Sequence, residues 1–140
     1  MSNTEHTILV VDDLSDVRAT ISGMLADEGY EVETAGSLTE ALTLLKNGHF
    51  DLAILDVRLD EVDEDNIEGF DLAAEIRQHW PDMKIVLLTG YASISMVNRA
   101  LRPDSQYKRL VDEFIEKSSI EELLEIVPGL LGLHQGYGIS

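Results

Sequence analysis

Cysteine is absent from the 140 residues. That excludes a disulfide framework and any thiolate zinc site. Basic residues are scarce: ten Lys and Arg stand against 27 Asp and Glu, for a formal net charge of −17. Phosphate backbones and anionic leaflets are held by Lys and Arg, so the chain itself is not expected to bind nucleic acid or a membrane surface. A metal cation or a protein partner with basic patches suits this charge better. No apolar run approaches the roughly 20 residues needed to span a bilayer. Met1 to His6 lack the basic start and apolar stretch of a signal peptide. These absences predict a soluble, cytoplasmic chain. The four histidines, His6, His49, His79 and His134, are scattered near element ends, and no two have metal-ligand spacing.

What remains is a chain of single-domain length with 44% hydrophobic residues, enough for one sizeable core. Thr7-Ile-Leu-Val-Val11 is a short β-branched run ending in Asp12-Asp13, as expected of a buried parallel strand. Val17, Ile21, Met24 and Leu25 recur at helical spacing, with Gly29 as a stop. Glu31-Val-Glu-Thr34 predicts a second strand. Ser37-Leu-Thr-Glu40 matches a capping box ahead of a helical face of Leu38, Ala41, Leu42 and Leu45, closed by Gly48. Asp51-Leu-Ala-Ile-Leu-Asp56 predicts a buried strand ending in an acid. A helix with Phe70, Ala73, Ile76 and Trp80 on one side runs to Pro81. Lys84-Ile-Val-Leu-Leu-Thr89 is another buried strand, and Ile94, Val97 and Leu101 mark a fourth helix. Val111 to Glu116 predicts a last strand, and Ser119-Ile-Glu-Glu122 a second capping box leading into Leu123, Leu124 and Val127. Residues 1–127 are expected to form the domain, and 128–140, with four glycines, a tail or the start of a linker.

Strand and helix thus alternate five times, which implies a parallel sheet covered on both faces. In such sheets the functional crevice lies at the carboxyl ends of the strands. Asp12, Asp13, Asp56, Thr89 and Lys117 all end or follow strands, so the topology gathers them there. Three crowded carboxylates repel one another unless a cation neutralises them or one is protonated. Oxygen ligands without Cys or paired His favour Mg2+, with Mn2+ as the second choice. Lys117 would supply a fixed positive charge and Thr89 a hydroxyl donor. Each residue alone has a plain alternative: Asp13 as a helix cap, Thr89 as a strand end, Lys117 as a surface lysine.

Val10-Val-Asp-Asp13, Leu52-Ala-Ile-Leu-Asp-Val57, Leu87-Leu-Thr-Gly-Tyr-Ala92 and Phe114-Ile-Glu-Lys117 together resemble the signature segments of response-regulator receiver domains. The resemblance spans about residues 7 to 127. It implies a (βα)5 doubly wound α/β fold, flavodoxin-like, with strand order 2-1-3-4-5. It further implies that Asp56 takes a phosphoryl group, and that Asp12 and Asp13 help hold Mg2+, Asp13 as the more direct ligand. The backbone carbonyl of Arg58 would be a further ligand, and Thr89 and Lys117 would hold the phosphoryl oxygens. Phe114 would be the aromatic switch, its plain alternative being a core residue. The implied partners are a sensor histidine kinase or histidine phosphotransfer protein as donor, and a downstream protein target or output domain. The face of the fourth helix, last strand and last helix would give the readout, with a homodimer through that face as a further expectation. Slow autodephosphorylation is the most turnover expected.

Three features depart from the family pattern. The loop after Asp56 is longer, has Asp60 where Pro is frequent, and reaches its first glycine only at Gly69. It carries Asp60, Glu61, Asp63, Glu64, Asp65 and Glu68, as a solvated loop or an added cation or specificity element. A second added segment, at 102–109, carries Arg102, Lys108 and Arg109, which with Arg99 would form either a docking patch for an acidic partner or a solvated, locally neutralising surface. Third, Ser118 replaces the usual Pro after Lys117; a cis bond costs about 0.5–1 kcal/mol before Pro but roughly 2.5–4 kcal/mol before other residues. Two other readings stay open: a receiver-like interaction module that accepts no phosphate, and a magnesium-dependent phosphatase on a related fold. Against the second, Arg58 stands where such an enzyme needs another acid.

Overall fold

The computed structural model describes residues 6–57, 68–90 and 110–133. Its elements run β1 (Thr7–Val11), α1 (Ser15–Asp27), β2 (Glu31–Ala35), α2 (Leu38–Asn47), β3 (Leu52–Asp56), α3 (Glu68–His79), β4 (Lys84–Thr89) and β5 (Glu113–Glu116). A 3-10 segment (Lys117–Glu122) and a C-terminal helix (Leu123–Leu130) follow. The five strands form one parallel sheet in the order β2-β1-β3-β4-β5, as the resemblance implies. The expected fourth helix, at Ile94 to Leu101, lies outside the described residues.

The continuous apolar runs become the central strands because both of their faces are covered. Alternate residues feed two cores. On one face Leu9, Val11, Ala53, Leu55, Ile85 and Leu87 pack with Ala41 and Leu45 of α2 and Phe70, Ala73 and Ile76 of α3. On the other, Ile8, Val10, Leu52, Ile54, Val86 and Leu88 pack with Ile21 and Leu25 of α1 and Leu123 and Val127 of the C-terminal helix. The polar-rich runs Glu31-Val-Glu-Thr-Ala35 and Glu113-Phe-Ile-Glu116 are the edges.

Helix ends largely follow local chemistry. Ser37 caps α2, its hydroxyl accepting from the Glu40 N–H at 3.2 Å. After α1, Gly29 (φ 94°) donates to Ala26 O and Tyr30 N–H to Leu25 O, a Schellman closure. Gly132 (φ 74°) and Leu133 close the C-terminal helix the same way, on Gly129 O and Pro128 O.

Apart from single-residue shifts at Ala35 and Leu52, three boundaries differ from expectation. β5 starts at Glu113 rather than Val111. Ser119 does not cap a helix; it lies inside the 3-10 segment at φ −128°, ψ 37°. The chain coils straight after Lys117, and a three-residue period keeps Ile120 and Leu123 together against the second core. Finally, the C-terminal helix runs through Pro128 to Leu130. Pro cannot donate to the previous turn, but Val127, Leu130 and Leu131 bury apolar surface on the second core and hold the helix through it.

Candidate functional site

The strand ends bring the expected residues to one pole. Register decides who is neighbour to whom: Val11 pairs with Leu55, Asp56 with Leu88, and Thr89 with Glu116. Asp12 therefore emerges beside Asp56, and Lys117 beside Gly90. Asp12 (0% exposed), Asp56 (1%) and Thr89 (4%) are the buried polar side chains among the described residues. Buried polar groups persist only where something compensates them, so this concentration at one pole marks the site.

Lys117 supplies that compensation. Its Nζ donates to Asp56 Oδ2 at 2.9 Å and lies 3.1 Å from Asp12 Oδ2. The ammonium spans two carboxylates from different strands. Burial opposes its charge, but Asp56 first and Asp12 second outweigh that and hold its pKa well above the ordinary lysine value. Asp12 shows the opposite balance. Burial pushes its pKa up; the Leu14 N–H and Lys117 pull it down without cancelling the rise, and Asp13 adds repulsion.

Local structure orients these groups. Leu14 occupies the N-cap position of α1 without a side-chain cap, and its N–H donates instead to Asp12 Oδ1 at 2.9 Å. Asp13 is half-buried and joins Asp12 and Asp56: one carboxylate oxygen from each lies within 4.8 Å of the others. Three hard oxygen donors this close, with no nitrogen or sulfur among them, fit a divalent cation of the Mg2+ class. Thr89 ends β4 at the same pole. Phe114 on β5 is half-buried against the first core and pairs with Leu87. The Lys117–Ser118 peptide is trans, as no cis bond occurs among the described residues. Arg58, the acidic segment from Asp60 to Asp65 and the 102–109 segment lie outside the described residues. Glu68 opens α3 as an acid in its first turn.

Arg18 and Arg77 escape a reading by motif, and the family pattern marks Gly69 without showing what it touches. Gly69 presses on the strand that carries Asp56, its N–H donating to Val57 O at 2.9 Å. Arg18 donates to the Asp12 carbonyl at 2.6 Å. Arg77 ties the α3–β4 turn to the entry of β5, reaching Pro81 O, Met83 O, Leu110 O and Asp112 Oδ2 at 2.8–3.1 Å. The sequence also scatters His49 and His79, whereas the fold sets both along one groove at the opposite pole, His49 near Asp51 and His79 near Glu75. No helix among the described residues is long and apolar enough to cross a membrane.

Comparison with known proteins gives a consistent picture. The family model for the response regulator receiver domain matches residues 8–127. The alginate biosynthesis transcriptional regulatory protein AlgB of Pseudomonas putida is 42% identical over 100 residues, covering 71% of this chain and 21% of that protein. Its Pseudomonas aeruginosa counterpart is 35% identical over 122 residues, covering 87% and 25%. The chain thus spans about a quarter or less of the length of these curated relatives. Among solved structures, the response regulator TrrA from Thermotoga maritima, in complex with Mg2+-BeF, superposes with a TM-score of 0.71 at 37% identity, covering 89% of this chain and 98% of that one. A CheY-like receiver domain protein from Methanospirillum hungatei gives 0.75 at 31% identity, covering 91% and 94%. With the family model matched over nearly the whole sheet and the acids at its carboxyl pole, this chain belongs to the response regulator receiver domain family.

Proposed function

We propose that this receiver is a phosphorylation-operated switch with Asp56 as the acceptor. The observation that carries the reading is the buried Asp56 carboxylate, bonded to Lys117 Nζ at 2.9 Å and clustered with Asp12 and Asp13. Asp12, Asp13 and Asp56, with the Arg58 carbonyl, would hold Mg2+, and Mn2+ has the same preference for oxygen ligands. Bound there, the ion supplies neutralisation of the negative charge that donor and acceptor bring together. An Asp56 oxygen attacks the phosphorus of a phosphohistidine. The new O–P bond forms as the N–P bond breaks, and the imidazole leaves with the electron pair and takes up a proton. Lys117 holds a phosphoryl oxygen, and the Thr89 hydroxyl donates to another. Water later cleaves the aspartyl phosphate slowly.

The donor in this reading is a sensor histidine kinase or a histidine phosphotransfer protein. Movement of Thr89 toward the phosphoryl group makes room for Phe114, which biases a two-state equilibrium read by a protein target or an output domain. The length of the curated relatives supports an output domain as the reader. A homodimer through the fourth helix, last strand and last helix is a further way to read the switch. The TrrA complex with Mg2+-BeF supports the cation assignment. Intact-protein mass after incubation with acetyl phosphate tests the acceptor. The expected result is a magnesium-dependent gain of one phosphoryl group that Asp56→Asn abolishes. No gain with acetyl phosphate or phosphohistidine donors would turn the reading to a binding module that works without phosphate.

A further inference from the structure

Asp12 is held at each of its polar atoms. Its N–H donates to Ala35 O at 3.1 Å, Oδ1 accepts from Leu14 N–H at 2.9 Å, and Oδ2 faces Lys117 Nζ at 3.1 Å. The fourth contact has no counterpart in the motif reading: the carbonyl accepts from Arg18 Nη1 at 2.6 Å, across six positions of sequence. Arg18 is half-buried, and its guanidinium fills space beside Gly36. A Cβ on Gly36 would stand 2.9 Å from Nη1 and 3.3 Å from Cζ. Backbone conformation does not explain glycine at 36, since the positive-φ glycines among the described residues are Gly29 and Gly132. A side chain at 36 would compete with the guanidinium for this space.

The bonded carbonyl belongs to the peptide that links Asp12 to Asp13. That peptide is planar, so fixing its oxygen fixes the direction in which the Asp13 backbone departs. A charge-assisted bond of this length is among the stronger protein hydrogen bonds. We propose that Arg18 is a positioning residue of the cation site: it pins the Asp12–Asp13 peptide and so aims the Asp13 carboxylate toward Asp12 and Asp56, with Gly36 as its socket. The inference rests on the reading of the three carboxylates as a divalent-cation site. Its sign separates it from a charge effect. A nearby cation repels Mg2+, so loss of Arg18 through charge alone would tighten binding. Loss of positioning weakens it, and removing a hydrogen-bond partner behind a ligand typically costs about 10–100-fold in metal affinity.

The test is calorimetric titration of the full chain with Mg2+, alongside thermal melts of the metal-free protein. Arg18→Ala is expected to weaken binding about 10-fold or more, with the melts showing that the metal-free variant is still folded at the titration temperature. Gly36→Ala displaces the guanidinium from the other side and should weaken binding in the same direction. In the Arg18→Ala background, Gly36→Ala should add nothing, because the group it displaces is gone. Unchanged or tighter Mg2+ binding by Arg18→Ala overturns the proposal, as does full additivity of the two substitutions. If Arg18→Ala does not fold, Gly36→Ala carries the test, and unaltered affinity in that variant overturns the proposal. A wild-type chain that binds no Mg2+ overturns the cation reading itself, and this inference with it.

Discussion

Gly69→Ala adds one methyl group where the start of α3 crosses the end of β3. The new Cβ would run into the Asp56 carbonyl oxygen and lie 2.7 Å from Val57 Cα and 2.8 Å from the Asp56 carbonyl carbon. All three are backbone atoms of the segment carrying Asp56, so no side-chain rotation relieves the contact. Either α3 moves off the sheet by more than an ångström, or the end of β3 bends. The first strains the hydrogen bond from Gly69 N–H to Val57 O and opens the core beneath Phe70 and Ala73. Overpacking usually costs about 1–3 kcal/mol, and a clash with rigid backbone belongs at or above the upper end. The expected loss is about 3 kcal/mol, or a fall in melting temperature of roughly 10 °C for a domain of this size. Gly23→Ala is the matched control. Gly23 lies inside α1, and its added Cβ meets nothing within 4 Å. Helix propensity then acts alone, for a gain of about 0.5–1 kcal/mol. Urea denaturation followed by circular dichroism measures both variants. The same chemical change should carry opposite signs. A Gly69→Ala protein within 1 kcal/mol of wild type would refute the close approach of α3 to the Asp56 backbone.

Lys117→Met removes the ammonium between Asp12 and Asp56 and should cost the metal-free protein about 3–5 kcal/mol at neutral pH, by urea denaturation; added Mg2+ should restore part of it. The Lys117 pKa is raised in the fold, so its contribution is complete below the unfolded value of 10.5 and is lost only as pH rises beyond it. Asp12 behaves in the opposite way to a salt-bridged acid. Its folded pKa is raised, mainly by burial, so its favourable contribution is complete below 3.8 and is lost as pH rises through the folded value. Asp12→Asn should therefore stabilise the metal-free protein at neutral pH, with the gain vanishing toward pH 3.8 in melts across a pH series. Arg77→Met strips donors from Pro81 O, Met83 O, Leu110 O and Asp112. It should cost about 2–3 kcal/mol and speed amide exchange at Asp112, whose N–H bonds to Ile85 O.

Much of this architecture is local in origin and can be read along the chain. Apolar runs such as Leu52-Ala-Ile-Leu55, the Ser37 capping box and the glycine stops each act within a few residues, which is why the strands, α1 to α3 and the sheet class follow from pattern alone. The acids at the ends of β1 and β3 are legible for the same reason: in a parallel sheet all strands point one way, so strand-ending residues share a pole. Local signals failed where distant packing overrode them. Ser119 has a capping sequence but is drawn into a 3-10 turn that keeps Ile120 and Leu123 on the second core. Pro128 reads as a stop, yet the helix continues because its far side is buried.

The amino-acid pattern by itself determined a parallel five-stranded domain with Asp12, Asp13, Asp56, Thr89 and Lys117 at one pole. Only the tertiary structure decided the contacts among them. Lys117 meets Asp56 across 61 positions, at a distance fixed by the register of β1, β3, β4 and β5. The reach of Arg18 to the Asp12 carbonyl and the pressure of Gly69 on the Asp56 backbone likewise depend on how helices seat against the sheet. Periodicity assigns a residue to a face or an end. The distances among acids, ammonium and guanidinium are set by close packing of both cores, which no local stretch of sequence encodes.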